Sequence, residues 1–347
     1  MILSIAIPLA FIAKYGGWGS TWVFILSTVA VVPMAGLIGQ ATESLAIYTG
    51  PKIGGLLNAT LGNAAELIIT LVAIKEGFLE LVKASITGSI IGNILFVLGM
   101  AMVVGGSKHG VQHFDRKSAG NHAILLTLAV LALAIPSFFS HSIGADTSSR
   151  VEGLSIGVAV IMILLYGLGL FYSLKVKDSP LTYESVPVEP HKGELTLRNS
   201  IILLTIATLA VVFLSELLVG AIEEVVSSLG VSEFFLGIIL IPLVGNAAEH
   251  FVAVQMAARN KMNLSVEIAI SSSVQIALFV APVLVFISLF MGNPLTLIFN
   301  SFELMALGAG VLITVLVSSD GESNWLEGST MFAVYLILAL AFFLMKA

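Results

Sequence analysis

Two glutamates stand where a charged side chain is least expected. Glu66 and Glu249 each close the pentapeptide Gly-Asn-Ala-Ala-Glu, at Gly62–Glu66 and again at Gly245–Glu249, inside long apolar stretches. A carboxylate at the bilayer centre costs ~2.5–3.5 kcal/mol on insertion scales, so intramembrane acids usually face a partner or a water-filled cavity. In each copy Asn and Glu are spaced i, i+3, which on a helix puts Asn63 beside Glu66 and Asn246 beside Glu249. A glycine precedes each pair, and Pro242 adds a break in the second copy, so the helix can open and offer backbone carbonyls as ligands. The following apolar stretches add Ser85, Ser89, Asn93, Ser272, Ser273 and Gln275, and every one of these side chains offers oxygen. Hard cations such as Ca²⁺ take about six to eight oxygen ligands. Two carboxylates balance one divalent ion, which favours Ca²⁺ over Na⁺ or K⁺ on charge alone.

The same pair suggests a driving ion. Without the metal, two carboxylates close together in a low-dielectric site cannot both stay ionised, and one or both take up protons. Ca²⁺ and H⁺ then exclude one another. If the loaded and the protonated forms can reorient but the empty dianion cannot, Ca²⁺ moves one way only when H⁺ moves the other.

The elements that position these residues follow from composition. Of 347 residues 58% are hydrophobic and 10% charged, against about 25% charged in a soluble domain, so the apolar surface must face lipid. A net charge of −6 without a basic tract speaks against nucleic acid, which is bound chiefly through Lys and Arg contacts to phosphate. The absence of cysteine excludes disulfides, thiolate metal sites and Cys nucleophiles. No His-Glu-x-x-His motif exists to hold zinc, and Glu249-His250 lacks the second histidine, so neither an enzyme nor a cofactor is expected. Stretches of about 20 apolar residues, enough to cross the ~30 Å hydrocarbon core, predict eleven spans, near 2–14, 21–49, 54–74, 84–106, 121–139, 153–174, 199–227, 234–258, 264–291, 296–318 and 325–345. The first lacks the basic start and cleavage pattern of a signal peptide and reads as a retained helix.

Self-similarity divides the chain. The offset of the two pentapeptides, 249 − 66 = 183, also pairs Gly54 with Gly237, Ser89 with Ser272, and Leu95-Phe96-Val97 with Leu278-Phe279-Val280. Duplication is the economical explanation. The third and eighth spans are separated by an odd number of crossings, so the copies run antiparallel. That is the inverted repeat of many secondary transporters, whose binding sites lie near the midplane where the repeats meet. The expected fold is an all-α integral membrane protein with about eleven transmembrane helices in one transport domain. Within it an extra helix (1–20) precedes a first repeat (21–174), a polar cytoplasmic loop (175–198) and a second, inverted repeat (199–347). Lys and Arg number ten on the side shared by the N-terminus and the central loop, against five on the other, which puts the N-terminus in the cytoplasm.

The double Gly-Asn-Ala-Ala-Glu motif in spans three and eight, with the eleven spans and the polar central loop, resembles the cation/proton exchanger (CAX) family of the calcium:cation antiporter superfamily over nearly the whole chain. The resemblance implies that Glu66 and Glu249 ligate Ca²⁺ and exchange it for protons, with Asn63, Asn246, Ser89 and Gln275 contributing oxygens. It points also to Glu43, in Thr42-Glu43-Ser44-Leu45, and Glu216, in Ser215-Glu216-Leu217-Leu218, as acids on gating helices two and seven. The central loop mixes acids with Lys177 and Lys192, unlike the dense acidic stretch of many members. Asn-Ala-Ala replaces the Ser/Thr and Pro of the sodium/calcium branch and weighs toward protons. The expected function is a Ca²⁺/H⁺ antiporter that exports Ca²⁺ across a prokaryotic cell membrane. The alternative is a Na⁺-coupled or broader divalent-cation exchanger. Its partners are Ca²⁺, H⁺ and the lipid bilayer, and a homo-oligomer stays open. Glu223, Glu224, Glu233 and Glu267 read as cavity or loop-edge acids, His250 as a neighbouring-helix contact, and the Gly88–Gly92 and Gly153–Gly157 pairs as close helix-packing points.

Overall fold

Hydrocarbon offers the backbone no hydrogen bonds, so apolar segments must satisfy their own N–H and C=O groups, and helices do this within one segment. In a computed structural model of the protein, residues 2–145, 148–175 and 195–345 are described, and most of them are helical. The first half contains α1 (Ala6–Tyr15), α2 (Ser20–Leu61), α3 (Ala64–Lys75), α4 (Leu79–Ile91), a π-helical turn (Gly92–Val97), α5 (Leu98–His109), β1 (Gln112–His113), α6 (Arg116–Ile143) and α7 (Ser149–Lys175). The second contains α8 (Leu197–Val219), α9 (Ile222–Leu229), α10 (Glu233–Phe235), a π-helical turn (Leu236–Leu240), α11 (Ile241–Gly245), α12 (Ala247–Ala258), α13 (Met262–Gln275), a third π-helical turn (Ile276–Val280), α14 (Ala281–Met291), α15 (Ser301–Val317), β2 (Glu322–Ser323) and α16 (Trp325–Leu344). Most of the expected central loop, residues 176–194, lies outside the described residues.

Among the described residues seven helices are long and apolar enough to cross a membrane, and eight if Ile222–Leu229 and Glu233–Gly245, bent by 118°, count as one span. The expected eleven include stretches that are short or broken, such as Leu3–Tyr15 and Ser301–Val317. Span two and the first residues of span three run in one helical segment, α2, and span three continues as α3. Segment α2 bends sharply, because a Cβ built on Gly54 would come within 2.7 Å of the Ala46 Cβ, whereas eight residues of straight helix rise about 12 Å. The expected tenth span starts too early. Its first residues belong to an extended stretch before α15, where Leu295, Leu297 and Phe299 are nonetheless buried. Serines of three helices satisfy that backbone. Ser288 of α14 accepts from the Leu295 N–H at 2.8 Å, Ser155 of α7 from Leu297 at 3.0 Å, and Ser137 of α6 from Phe299 at 2.8 Å.

The described residues group into two compact units, and each takes segments from both halves of the sequence. One comprises those of Met1–Val82 and Glu184–Ala248, the other those of Lys83–Tyr183 and Glu249–Leu344. In the first, α2 packs on α8 and α1, and α3 on α8 and α11. In the second, α5 packs on α16, α6 on α13 and α15, and α7 on α14. The duplication is visible in the backbone. The π-helical turns at Gly92–Val97 and Ile276–Val280 end on residues 183 apart, and the left-handed residues Gly77 and Asn260 share the same offset. Ser273 Oγ donates to the carbonyl of Ile90 at 3.4 Å, and Ile90 is the repeat equivalent of Ser273. A residue touches its own equivalent only on the axis that relates the copies, so the two-fold axis passes between α4 and α13.

Close glycine packing is found elsewhere than expected. A Cβ on Gly92, Gly153 or Gly157 would meet nothing within 4 Å, whereas one on Gly328 would lie 2.5 Å from the Gly99 carbonyl oxygen. The α5–α16 contact therefore uses the absent side chains. Ser155→Ala strips the acceptor from a buried N–H, and a loss of about 1–3 kcal/mol is expected as a lowered melting temperature of the purified protein in detergent.

Candidate functional site

Each pentapeptide breaks its helix at the asparagine. The chain leaves α2 at Leu61 and re-enters helix at Ala64, with Asn63 at φ −91°, ψ 15°. It leaves α11 at Gly245 and re-enters at Ala247, with Asn246 at φ −104°, ψ 11°. Consequently Glu66 is the third residue of α3 and Glu249 the third of α12, both in the first turn. That position has a physical consequence. The positive end of the helix dipole stabilises a carboxylate by roughly 0.3–1 kcal/mol, up to ~2 in favourable partly buried settings. It offsets part of the ~2.5–3.5 kcal/mol cost of placing the charge in hydrocarbon. Hydrogen-bond donors, or a cation, must supply the rest.

In the first unit the donor to Glu66 comes from the other copy of the motif. Asn246 Nδ2 donates to Glu66 Oε2 at 3.2 Å and also to the carbonyl of Pro242 at 3.2 Å. Glu66, Asn63 and Asn246 are all buried, Glu66 completely. The glycine of the second pentapeptide permits this approach, since a Cβ on Gly245 would lie 3.3 Å from the Glu66 Cβ. The two motifs therefore touch directly.

In the second unit Ser272 Oγ donates to Glu249 Oε2 at 2.6 Å, a length typical of hydroxyl-to-carboxylate bonds. Ser85, Ser89 and Asn93 are buried on α4 and its π-helical continuation, and Ser273 and Gln275 on α13. His250 does what adjacency to Glu249 implied: its Nε2–H donates to Asn93 Oδ1 at 3.1 Å, and its ring meets that of Phe96 edge-on at 6.0 Å. Serine and asparagine suit both states of such a site. Their hydrogens satisfy a metal-free carboxylate, and a rotated hydroxyl or flipped amide presents oxygen to a cation.

Glu43 and Glu216 are exposed rather than gathered with these groups. Glu216 lies 3.9 Å from Lys75, both about half exposed, a geometry worth little in water. Sequence reasoning missed Glu303. It is buried, accepts from Thr87 Oγ1 at 3.2 Å, and closes a capping box with Asn300 at the start of α15. The signal was present as Asn300-Ser-Phe-Glu303 before an apolar run.

Residues 19–175 and 199–344 match the sodium/calcium exchanger protein family. The chain is 43% identical over 354 residues to a Ca²⁺/H⁺ antiporter of Aphanothece halophytica, covering 98% of this chain and 95% of the relative. It is 42% identical to the Ca²⁺/H⁺ antiporter ChaA of Bacillus subtilis (strain 168), covering 99% and 98%. Among solved structures, native YfkE superposes with a TM-score of 0.87 at 41% identity, over 99% of both chains.

Removing the hydrogen-bonding groups tests these contacts. Asn246→Leu and Ser272→Ala are each expected to raise the Ca²⁺ concentration for half-maximal flux about tenfold, the scale of one lost bond to a charged group. Ser272→Thr, which keeps the hydroxyl, is expected to stay near wild type in the same flux assay.

Proposed function

Since the chain belongs to the sodium/calcium exchanger protein family, we propose that it is a Ca²⁺/H⁺ antiporter in which Ca²⁺ and protons compete for Glu66 and Glu249. The observation that carries this reading is the doubled break in the helix. Each copy seats a carboxylate in the first turn of a helix, and each carboxylate meets a neutral amphoteric neighbour, Asn246 from the other copy for Glu66 and Ser272 from the same copy for Glu249. Asn63, Ser89 and Gln275 add oxygen ligands.

Transport follows by alternating access. Ca²⁺ together with two carboxylates carries no net charge and can cross. On the far side protons displace it, and the protonated, again neutral site returns. The empty dianion is held back by the cost of exposing charge to hydrocarbon. Protons moving inward down their concentration gradient drive Ca²⁺ out. Glu43 and Glu216, on α2 and α8, serve as relay acids that meet water at the gates. Proton rather than Na⁺ coupling is supported by the relatives, which are named Ca²⁺/H⁺ antiporters, and by Asn-Ala-Ala in both motifs. The membrane is that of a prokaryotic cell, with the N-terminus in the cytoplasm.

Ca²⁺ uptake into liposomes holding the purified protein is expected to follow an imposed pH gradient, to survive removal of Na⁺, and to collapse with a protonophore. Uptake that instead requires Na⁺ overturns proton coupling. Glu66→Gln and Glu249→Gln are each expected to lower uptake about 100-fold or more, the scale of stripping one partner from a buried charge pair. Full proton-coupled uptake by either variant contradicts the site.

A further inference from the structure

At one face of the second unit four apolar spans begin or end: Leu79–His109 ends there, and Arg116–Ser140, Met262–Met291 and Trp325–Leu344 begin there. Their ends are knotted together. His109 Nε2–H donates to the Ala258 carbonyl at 3.1 Å, and the buried Gln112 amide donates to Ala257 O at 3.0 Å and Asn260 Oδ1 at 2.8 Å. The Asp115 N–H donates to Asn263 Oδ1 at 3.0 Å, and β1 pairs antiparallel with β2. Asn260 has a φ of 59°, a conformation that costs a non-glycine residue energy, and the Gln112 amide holds it there. The knot therefore sets where α12 ends and α13 begins, and these helices carry Glu249 and Ser272.

The same face carries five exposed cations, Lys108, Arg116, Lys117, Arg259 and Lys261, and among the described residues none of them is ion-paired. Three exposed acids share the face, Asp115, Asp320 and Glu322, so the five exposed cations outnumber them by two. The Asp115 carboxylate accepts from the backbone of Lys117 and Ser118, Asp320 accepts from the Glu322 N–H, and Glu322 lies 3.7 Å from His113. In a chain with a net charge of −6, this local excess of positive charge is a placement, not a by-product of composition. It is also bordered by apolar surface. Val111, Trp325 and Leu326 are exposed, and Ile124, also exposed, lines a shallow groove with Asp115, Arg116, Lys117, Gly120 and Asn121. Tryptophan at the start of a span belongs at headgroup depth. Clustered Lys and Arg beside it attract anionic lipid, each contributing several-fold to binding. A small soluble anion would use the cations but leave the apolar border without a role.

We propose that this face binds the headgroups of anionic phospholipids in the adjoining leaflet, and that bound lipid tightens the knot holding the α12–α13 hairpin. Thermal melting and native mass spectrometry of the purified full chain test it, with phosphatidylglycerol, phosphatidylcholine or inorganic phosphate added. Phosphatidylglycerol is expected to raise the melting temperature and to stay bound, phosphatidylcholine to do neither, and high salt to remove the preference. Neutralising Arg116→Gln, Lys117→Gln and Lys261→Gln together is expected to weaken phosphatidylglycerol binding by about fivefold per cation. Equal effects of both lipids, a preference that persists at high salt, a triple variant that keeps it, or stabilisation by inorganic phosphate to the same extent would overturn the proposal. These readouts do not depend on transport, so a failure of the antiport reading appears separately, as absent Ca²⁺ uptake in liposomes of either lipid.

Discussion

A carboxylate in hydrocarbon is tolerated only with compensation, and the local architecture around Glu66 and Glu249 is organised by that requirement. Breaking the helix at Asn63 and at Asn246 does two things at once. It starts a new helix whose positive end falls on the acid, and it lets a neighbouring element come close enough to donate a hydrogen bond. Gly245 shows the second effect, since a Cβ there would lie 3.3 Å from the Glu66 Cβ and crowd it. Compensation by neutral donors leaves the carboxylates able to accept either a proton or a cation, whereas a fixed lysine partner would have satisfied them permanently.

Symmetry supplies the second carboxylate, but the two copies are not equivalent in detail. Beyond the shared π-helical turns and left-handed residues, the second copy interrupts the approach to its motif with α9 and a 118° bend, where the first copy runs as the bent segment α2. Glu303, which ties α15 to α4 through Thr87, faces no duplicate either, because the residue 183 positions earlier is Gly120. The inversion thus fixes the paired acids while the surrounding packing is free to differ.

Irregular backbone elsewhere obeys the same economy. The extended stretch before α15 survives burial because Ser288, Ser155 and Ser137 each accept one of its N–H groups, which replaces the ladder a helix would have provided. The turn at Asn260 survives because Gln112 bonds its side chain.

The amino-acid sequence by itself determined that the chain lives in lipid, that it is duplicated, and that Glu66 and Glu249 are its exceptional residues. Those conclusions rest on composition, identity at fixed offset and scarcity of charge, all properties of the chain alone. The i, i+3 spacing and the glycines announced a weak point in each helix, and the break appeared there. Tertiary structure decided which groups meet. It gave Glu66 the amide of Asn246 and Glu249 the hydroxyl of Ser272, left Glu43 and Glu216 exposed, buried Glu303, and moved close glycine packing from Gly153–Gly157 to Gly99 and Gly328. The physical reason is range. Burial cost and helix propensity act over a few residues and can be read along the chain, whereas the choice of a hydrogen-bond partner some 180 residues away depends on how helices pack, and many packings satisfy the same apolar pattern.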